Sequence, residues 1–366
     1  MFNNLYHNKK VLVTGHTGFK GSWLTEWLLL LGAKVSGYSK DIPTQPSLFE
    51  ALRLEDRIQH HIGDVRDKAH FLTALQETRP DFVFHLAAQP IVRQSYIDPS
   101  ETVSTNVLGT NNVLDALRIN NQPCTAVIIT SDKCYHNVEW TWGYRENDRL
   151  GGNDPYSASK GAAELIIHTY FTSFFQTGSS PVRIASARAG NVIGGGDWAD
   201  SRLVPDAFRA WATGEKVEIR SPKATRPWQH VLEPLSGYLR LGECLAKSKD
   251  LNGESFNFGP PSEQSHTVLE LLEALEASWK LNDQIIVGEN PGFHEAGLLK
   301  LNCDKALHKL KWQPALPFPE TATFTATWYE QYYRQEQSAN LREFTSKQIT
   351  KYAEAARNRN IAWAIQ

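Results

Sequence analysis

Residues Lys10 to Tyr38 constrain this chain more than any other stretch. Lys10-Val11-Leu12-Val13-Thr14 reads as a short apolar strand, and Gly15-His16-Thr17-Gly18-Phe19-Lys20-Gly21 follows it. Ser22 to Leu31 then reads as a helix, with Trp23, Leu24, Trp27, Leu28 and Leu31 on one face and Gly32 ending it. Ala33 to Tyr38 is the next strand. A strand, glycine turn, helix and strand in this order open a doubly wound parallel sheet. Glycines in such a turn let the backbone bend tightly and approach a pyrophosphate resting on the helix N-terminus. Their spacing here is Gly-x-x-Gly-x-x-Gly.

The same alternation continues. Ile58 to Gly63 reads as a strand ending at Asp64, a candidate to bond an adenine amino group, with Val65 beside it. Asp67 is the expected cap of a helix running to Glu77. Asp81 to Ala88 is a buried strand whose end, Leu86-Ala87-Ala88, is small enough for a flat cofactor to lie against. Pro99 to Asn120 reads as one long helix containing Asn106. Thr125 to Thr130 is another buried strand, delivering Ser131-Asp132-Lys133 at its carboxyl end, where ligands of open parallel sheets bind. A loop from His136 to Asp154 carries Trp140, Trp142 and Tyr144 and reads either as a wall or lid or as a surface loop.

Tyr156 and Lys160 stand four apart at the start of a helix expected to reach about Phe175, so they share one face. An ammonium beside a phenol favours the phenolate and lowers its pKa. Such a tyrosine takes a proton from a sugar hydroxyl near neutral pH. Alone, the pair is weak evidence, since an exposed helix can carry it without function.

Beyond Arg188 the pattern loosens into a glycine-rich loop, Gly190 to Asp197, a helix from Ser201 to Thr213 and a strand at Val217 to Arg220. Leu232 to Lys247 is helical, Ser255 to Gly259 a late strand, Val268 to Trp279 a helix, and Trp328 to Gln366 a charged helical tail. The expected architecture is therefore α/β: a Rossmann-type sheet from residues 1–188 and 226–259, with a smaller mixed α/β substrate unit from 189–225 and 260–366.

Composition narrows the class. A net charge of -2 gives no electrostatic case for nucleic acid or a membrane surface as partner. The longest apolar run, Trp27 to Leu31, is too short to span a bilayer, and Met1 to Lys10 lacks the apolar core of a signal peptide. Cys124, Cys134, Cys244 and Cys303 are scattered without metal or disulfide spacing. They read as reduced thiols of a cytoplasmic protein with no metal site.

Taken together, the glycine turn, Asp64, Leu86-Ala87-Ala88, Asn106 and Tyr156/Lys160 resemble the extended short-chain dehydrogenase/reductase superfamily in order and spacing. Within it, Ile129-Thr130-Ser131-Asp132-Lys133-Cys134-Tyr135 is similar to the nucleotide-sugar 4,6-dehydratases. Most of those end the strand in Thr-Asp-Glu; the lysine at 133, with Gly-His-Thr-Gly-Phe-Lys-Gly, is similar to the branch acting on CDP-glucose.

The resemblance implies NAD held by Gly15, Thr17, Gly18, Phe19, Gly21, Asp64, Val65, Leu86, Ala87, Ala88, Asn106, Thr130, Tyr156 and Lys160. Lys40 and Asp41 leave NAD or NADP open at the end of the second strand, and the regenerated cofactor of relatives favours NAD. Tyr156 is the implied base at the sugar 4-hydroxyl, with Ser131 on the same oxygen and Lys160 holding the phenolate and the nicotinamide ribose. Asp132 is the implied acid for the 6-hydroxyl, and Lys133 stands at the position of the C5 base unless it only pairs with an acid. Gln89 and Arg93 are expected at the sugar, Asn191 at the β-phosphate, and Arg202, Arg220, Arg226 and His294 around the nucleotide. A homodimer is expected through the Pro99–Asn120 and Tyr156–Phe175 helices, and a deoxysugar for a surface polysaccharide such as O-antigen as the product's fate. The rivals are dehydratases of GDP-mannose or dTDP-glucose, a 4-epimerase or 4-keto reductase, which has no use for Asp132, and a non-catalytic dinucleotide-binding regulator.

Overall fold

The structure, a computed structural model, describes residues 1–261, 263–288, 298–334 and 340–365. Seven strands form the central sheet: β1 (Lys10–Thr14), β2 (Lys34–Ser39), β3 (Gln59–Ile62), β4 (Phe82–His85), β5 (Cys124–Ile129), β6 (Val182–Arg188) and β7 (Ser255–Asn257). Their order is β7-β6-β5-β4-β1-β2-β3, and every neighbouring pair is parallel. β5 is buried along its whole length, as its unbroken apolar run requires of a central parallel strand. The chain reverses its winding at β1, which lies between β2 and β4, so a crevice opens beyond the carboxyl ends of β1 and β4.

The first helix spans Phe19–Leu30 and so begins three residues before the expected start at Ser22. It was expected to bury one face, yet every residue from Gly21 to Leu28 is buried. Its outer side is covered by the end of the chain. Trp27 meets Tyr352 and Trp363 edge-on, each at 5.7 Å between ring centroids, and Ser346 donates to the buried carboxylate of Glu26. Phe2 stacks on Trp363 at 5.1 Å. The helices Leu341–Asn358 and Ala362–Ile365, expected with the substrate unit, thus make these contacts with the dinucleotide half.

The helix from Pro99 to Asn120 is present but is not uniform. α-Helical turns at Pro99–Val103 and Gly109–Asn120 flank a π-helical turn at Ser104–Leu108. That wide turn carries Asn106, and π turns recur at functional sites. The Tyr156 helix runs Pro155–Tyr170, opened by Pro155 and by Asp154, whose side chain accepts from the Ser157 N–H, and a π turn extends it to Phe175. Outside the main sheet, Val192–Ile193 pairs with Gln229–His230, Thr225–Arg226 with His266–Thr267, and Val217–Ile219 with Ile285–Val287. With the Leu203–Ala212 and Val268–Ser278 helices they make the smaller mixed α/β part. Among the described residues, no helix is long and apolar enough to cross a membrane, and no cluster of three or more His, Cys, Asp or Glu forms a metal site.

Candidate active site

The glycine turn has the shape that a pyrophosphate requires. Gly15 has φ +74°, and a Cβ there would stand 2.7 Å from the Ala87 nitrogen. A Cβ on Gly21 would stand 2.0 Å from the Gly15 carbonyl oxygen. At Gly18 the nearest such contact, with the Gly15 carbonyl oxygen, is an ordinary 3.4 Å, so this position is not crowded. Gly18 caps the first helix without a side-chain acceptor, and no acid lies in the first turn. Its leading N–H groups are left for an anion.

Around that turn the expected cofactor residues gather at the strand ends. The Thr14 hydroxyl sits 2.7 Å from His85 Nδ1 and accepts from Ala87 N–H, which fixes the small residues after β4. Asn106 accepts from the Gln89 N–H and donates to Ser159 on the catalytic helix. Asp64 is gripped by Arg66, whose guanidinium and backbone N–H hold its carboxyl below the usual range against the opposing effect of burial. Lys40 lies 3.3 Å from Glu101 and 3.9 Å from Asp41, so its charge is already answered on the protein.

Ser131, Asp132, Tyr156 and Lys160 are buried together where β5 meets the catalytic helix. Ser131 caps a short 3-10 turn, accepting from the Lys133 N–H, and donates to Asp132 Oδ1 at 2.9 Å. Burial pushes the Tyr156 phenol up to about 12; the Ser131 hydroxyl beside it works the other way, and Asp132 adds to the rise. In the protein alone, removal from water thus outweighs the neighbours that favour the phenolate. Burial also pushes the Lys160 amine down to about 8, against the pull of Glu164 and Cys134. Among the described residues the Lys160 side chain makes no hydrogen bond or ion pair. A buried ammonium left in this state is suited to hydroxyl acceptors, such as those of a ribose. The turn, the uncapped helix N-terminus behind it and Lys160 therefore fit a dinucleotide.

Asp132 has two further neighbours. Asn191, at φ +52°, donates to its Oδ2 at 3.3 Å, and Gly190 leaves room for that carboxylate. Asn191 thus faces Asp132 rather than standing free for a phosphate. Gln89 is also partly engaged. Its amide donates to Thr102 and its carbonyl accepts from Ile91 N–H, so the side chain pins its own loop and keeps one N–H and one lone pair for a further partner. Arg93, Lys133 and Arg220 are exposed. Among the described residues Lys133 makes no ion pair, so neither the buried base nor the pairing with Asp132 is formed here. Arg202 reaches the site, paired with Asp197 at 2.8 Å and contributing positive charge at Tyr156. Arg226 lies on the Thr225–Arg226 strand and donates to the Thr225 carbonyl. His294 lies outside the described residues.

The part-buried lysine of the site is Lys20, which the sequence reading passed over. Burial pushes its amine down to about 8, with Arg202 and Lys160 adding to the fall and Asp132 and Asp197 opposing it. A cation in the first turn of a helix opposes the helix dipole, and that was the available signal. On the lid side, Trp140 stacks on Tyr144 and Tyr144 on Tyr135, each pair at 5.2 Å, while Trp142 is exposed. This settles Trp140 and Tyr144 as part of a packed wall.

The family described as GDP-mannose 4,6 dehydratase matches residues 12–325. A CDP-glucose 4,6-dehydratase of Salmonella typhimurium is 48% identical over 342 residues, 91% of this chain and 94% of that protein. A dTDP-glucose 4,6-dehydratase of Xanthomonas campestris is 26% identical, over 87% of this chain and 92% of its own. Among solved structures, an epimerase from Methanothermobacter thermautotrophicus superposes with a TM-score of 0.79 at 23% identity, covering 91% of this chain and 95% of the other. A dTDP-glucose 4,6-dehydratase from Streptomyces venezuelae, solved with NAD bound, gives 0.74 at 22%, covering 88% and 98%. The strand-end serine and acid, the tyrosine and lysine one turn apart, and the match along nearly the whole chain agree: this protein belongs to the nucleotide-sugar 4,6-dehydratases of the extended short-chain dehydrogenase/reductase superfamily.

Proposed function

We propose that the chain is a CDP-glucose 4,6-dehydratase, a hydro-lyase that converts CDP-glucose to CDP-4-keto-6-deoxyglucose and water. The observation that carries the reading is Asp132, a buried carboxylate hydrogen-bonded to Ser131 in the Tyr156 site. An epimerase has no use for that acid. The choice of CDP-glucose is supported by the 48% identity to the Salmonella enzyme.

Tyr156 takes the proton of the sugar 4-hydroxyl, and Ser131 holds the same oxygen. Lys160 holds the phenolate and a ribose hydroxyl of the cofactor. NAD would be held along the Gly15–Gly21 turn and by Lys160, and would supply the hydride acceptor for C4 and the hydride donor for C6. A ketone at C4 acidifies the hydrogen at C5. Asp132 protonates the 6-hydroxyl as it leaves, and Lys133 takes the C5 proton, which requires substrate to cover a side chain that is exposed in the protein alone. Lys20 and Arg202 offer positive charge to the diphosphates, and Arg226 and His294 remain nucleotide contacts by family position. NAD rather than NADP is supported by the pairing of Lys40 with Glu101.

The active form is a homodimer in the cytoplasm. Its interface uses the helical faces that leave Val103, Leu108 and Leu165 at 44%, 54% and 57% exposure. The product feeds deoxysugar assembly for a surface polysaccharide. The test is incubation with NAD and CDP-glucose, GDP-mannose or dTDP-glucose in parallel. Only CDP-glucose should give the base-induced ultraviolet absorbance of a 4-keto-6-deoxy sugar; an epimer gives none.

A further inference from the structure

Glu164 stands one turn beyond Lys160 on the catalytic helix and is removed from water, at 2% side-chain exposure. Its Oε2 accepts from Arg188 at 2.8 Å, from Ser186 at 2.9 Å and from Ser255 at 3.3 Å, while Oε1 accepts from Thr130. Thr130 immediately precedes Ser131, and its N–H bonds the Ala187 carbonyl. Arg188 continues the network, donating to the Tyr135 hydroxyl at 2.7 Å and to the Glu146 carbonyl at 2.9 Å, with its guanidinium 5.0 Å from the Tyr135 ring centroid. Tyr135 donates in turn to Asn257. One buried ion pair thus joins the catalytic helix, the ends of β5, β6 and β7, and the aromatic wall.

An ion pair this deep costs more in desolvation than a packed apolar pair of the same volume. Core stability alone gives little reason for one beneath two catalytic side chains. We propose that Glu164 is a positioning residue of the reaction: its carboxylate, paired with Arg188, fixes the Ser131 end of β5 against the Tyr156 helix and places a negative charge one helical turn from the Lys160 ammonium. The proposal rests on the reading of Tyr156 and Lys160 given above.

The electrostatics agree with the geometry. Burial works against the charge on Glu164, but Arg188 and the hydroxyls of Thr130 and Ser186 outweigh it and hold the carboxyl below its usual range. Glu164 is also the main group sustaining the Lys160 charge. Among the described residues, Lys160 also has Tyr156 one turn before it on its own helix, Cys134 on the turn after β5 and, beyond these, His85 at the end of β4 and Lys20 in the first helix. The last two are basic and sustain no positive charge beside them.

NADH affinity measured against pH tests the charge. In the wild-type protein the affinity should fall as pH passes about 8, where Lys160 loses its proton. Lys160→Met identifies the part of that fall which belongs to Lys160 rather than Lys20. Glu164→Gln should move that part down by about one pH unit; a folded variant with an unmoved profile overturns the proposal. If Glu164→Gln does not fold, Thr130→Val decides, since it removes one hydroxyl and leaves the ion pair. It should lower kcat for CDP-glucose about 5–10-fold with KM for CDP-glucose unchanged, as a small misplacement of Ser131 demands; an unchanged kcat overturns the proposal. Failure of wild-type protein to bind NADH at all would instead remove the reading of the site.

Discussion

Gly190 lies directly against Asp132: a Cβ on the glycine would stand 1.9 Å from Asp132 Oδ2. The glycine-rich loop and the strand end were separate features of the sequence. Here the first exists in part to admit the second. Gly190→Ala should push the carboxylate off Ser131 and slow water loss more than oxidation at C4. Rapid-mixing absorbance at the reduced-nicotinamide band, set against product formation, checks this; equal slowing of both steps contradicts it.

Asp132→Asn keeps the shape and removes the proton. Elimination should slow by about 10²–10⁴, the usual worth of a positioned acid. Oxidation at C4 should survive, so reduced nicotinamide should build up in a single turnover. Lys133→Ala should show the same build-up if Lys133 is the C5 base. Unchanged turnover in Asp132→Asn would place an epimerase first.

Tyr156→Phe should abolish most turnover while leaving nucleotide-sugar affinity nearly intact, because the hydroxyl acts in the transition state. Calorimetric titration beside steady-state assay separates the two. A variant that keeps near-normal kcat rules out Tyr156 as the base.

Stability should carry a signature from Glu233, a fully buried carboxylate that accepts from Ala315 and Leu316 N–H and from the Tyr352 hydroxyl. Burial pushes it up from 4.5 to about 7, with those donors opposing. Between those values the folded chain keeps a proton that the unfolded chain has lost, so the unfolded state binds fewer protons. The contribution is complete below 4.5 and is lost as pH rises through about 7. The wild type should therefore lose melting temperature between pH 5 and pH 8, and Glu233→Gln should flatten that fall. An unchanged slope excludes Glu233 as its source.

What could be read from the sequence was what repeats locally. The Gly15–Gly21 turn, the helix capped by Asp67 and the Leu232–Lys247 helix follow from chemistry within a few residues, and the structure places them within a turn of expectation. Tyr156 and Lys160 were legible for the same reason. Gln89 and Asn191 were not, because the direction of each side chain is set by a partner outside its own turn, and Lys133 was not, because its exposure is set by the assembled fold. Gln89 turns to Thr102 and Asn191 to Asp132, 59 positions away. Burial of the Tyr156 phenol is likewise a property of the assembled core, and in the protein alone it outweighs the neighbours that favour the phenolate.

The stack of Phe2 on Trp363 brings the two ends of the chain together beside the first helix. This helix directly follows the glycine turn, whereas its outer wall comes from Tyr352 and Trp363, far along the chain. The turn bends by local chemistry, but the helix behind it keeps apolar surface in water until that distant segment packs on it. Cofactor capture at the turn is therefore tied to the docking of the Leu341–Asn358 and Ala362–Ile365 helices.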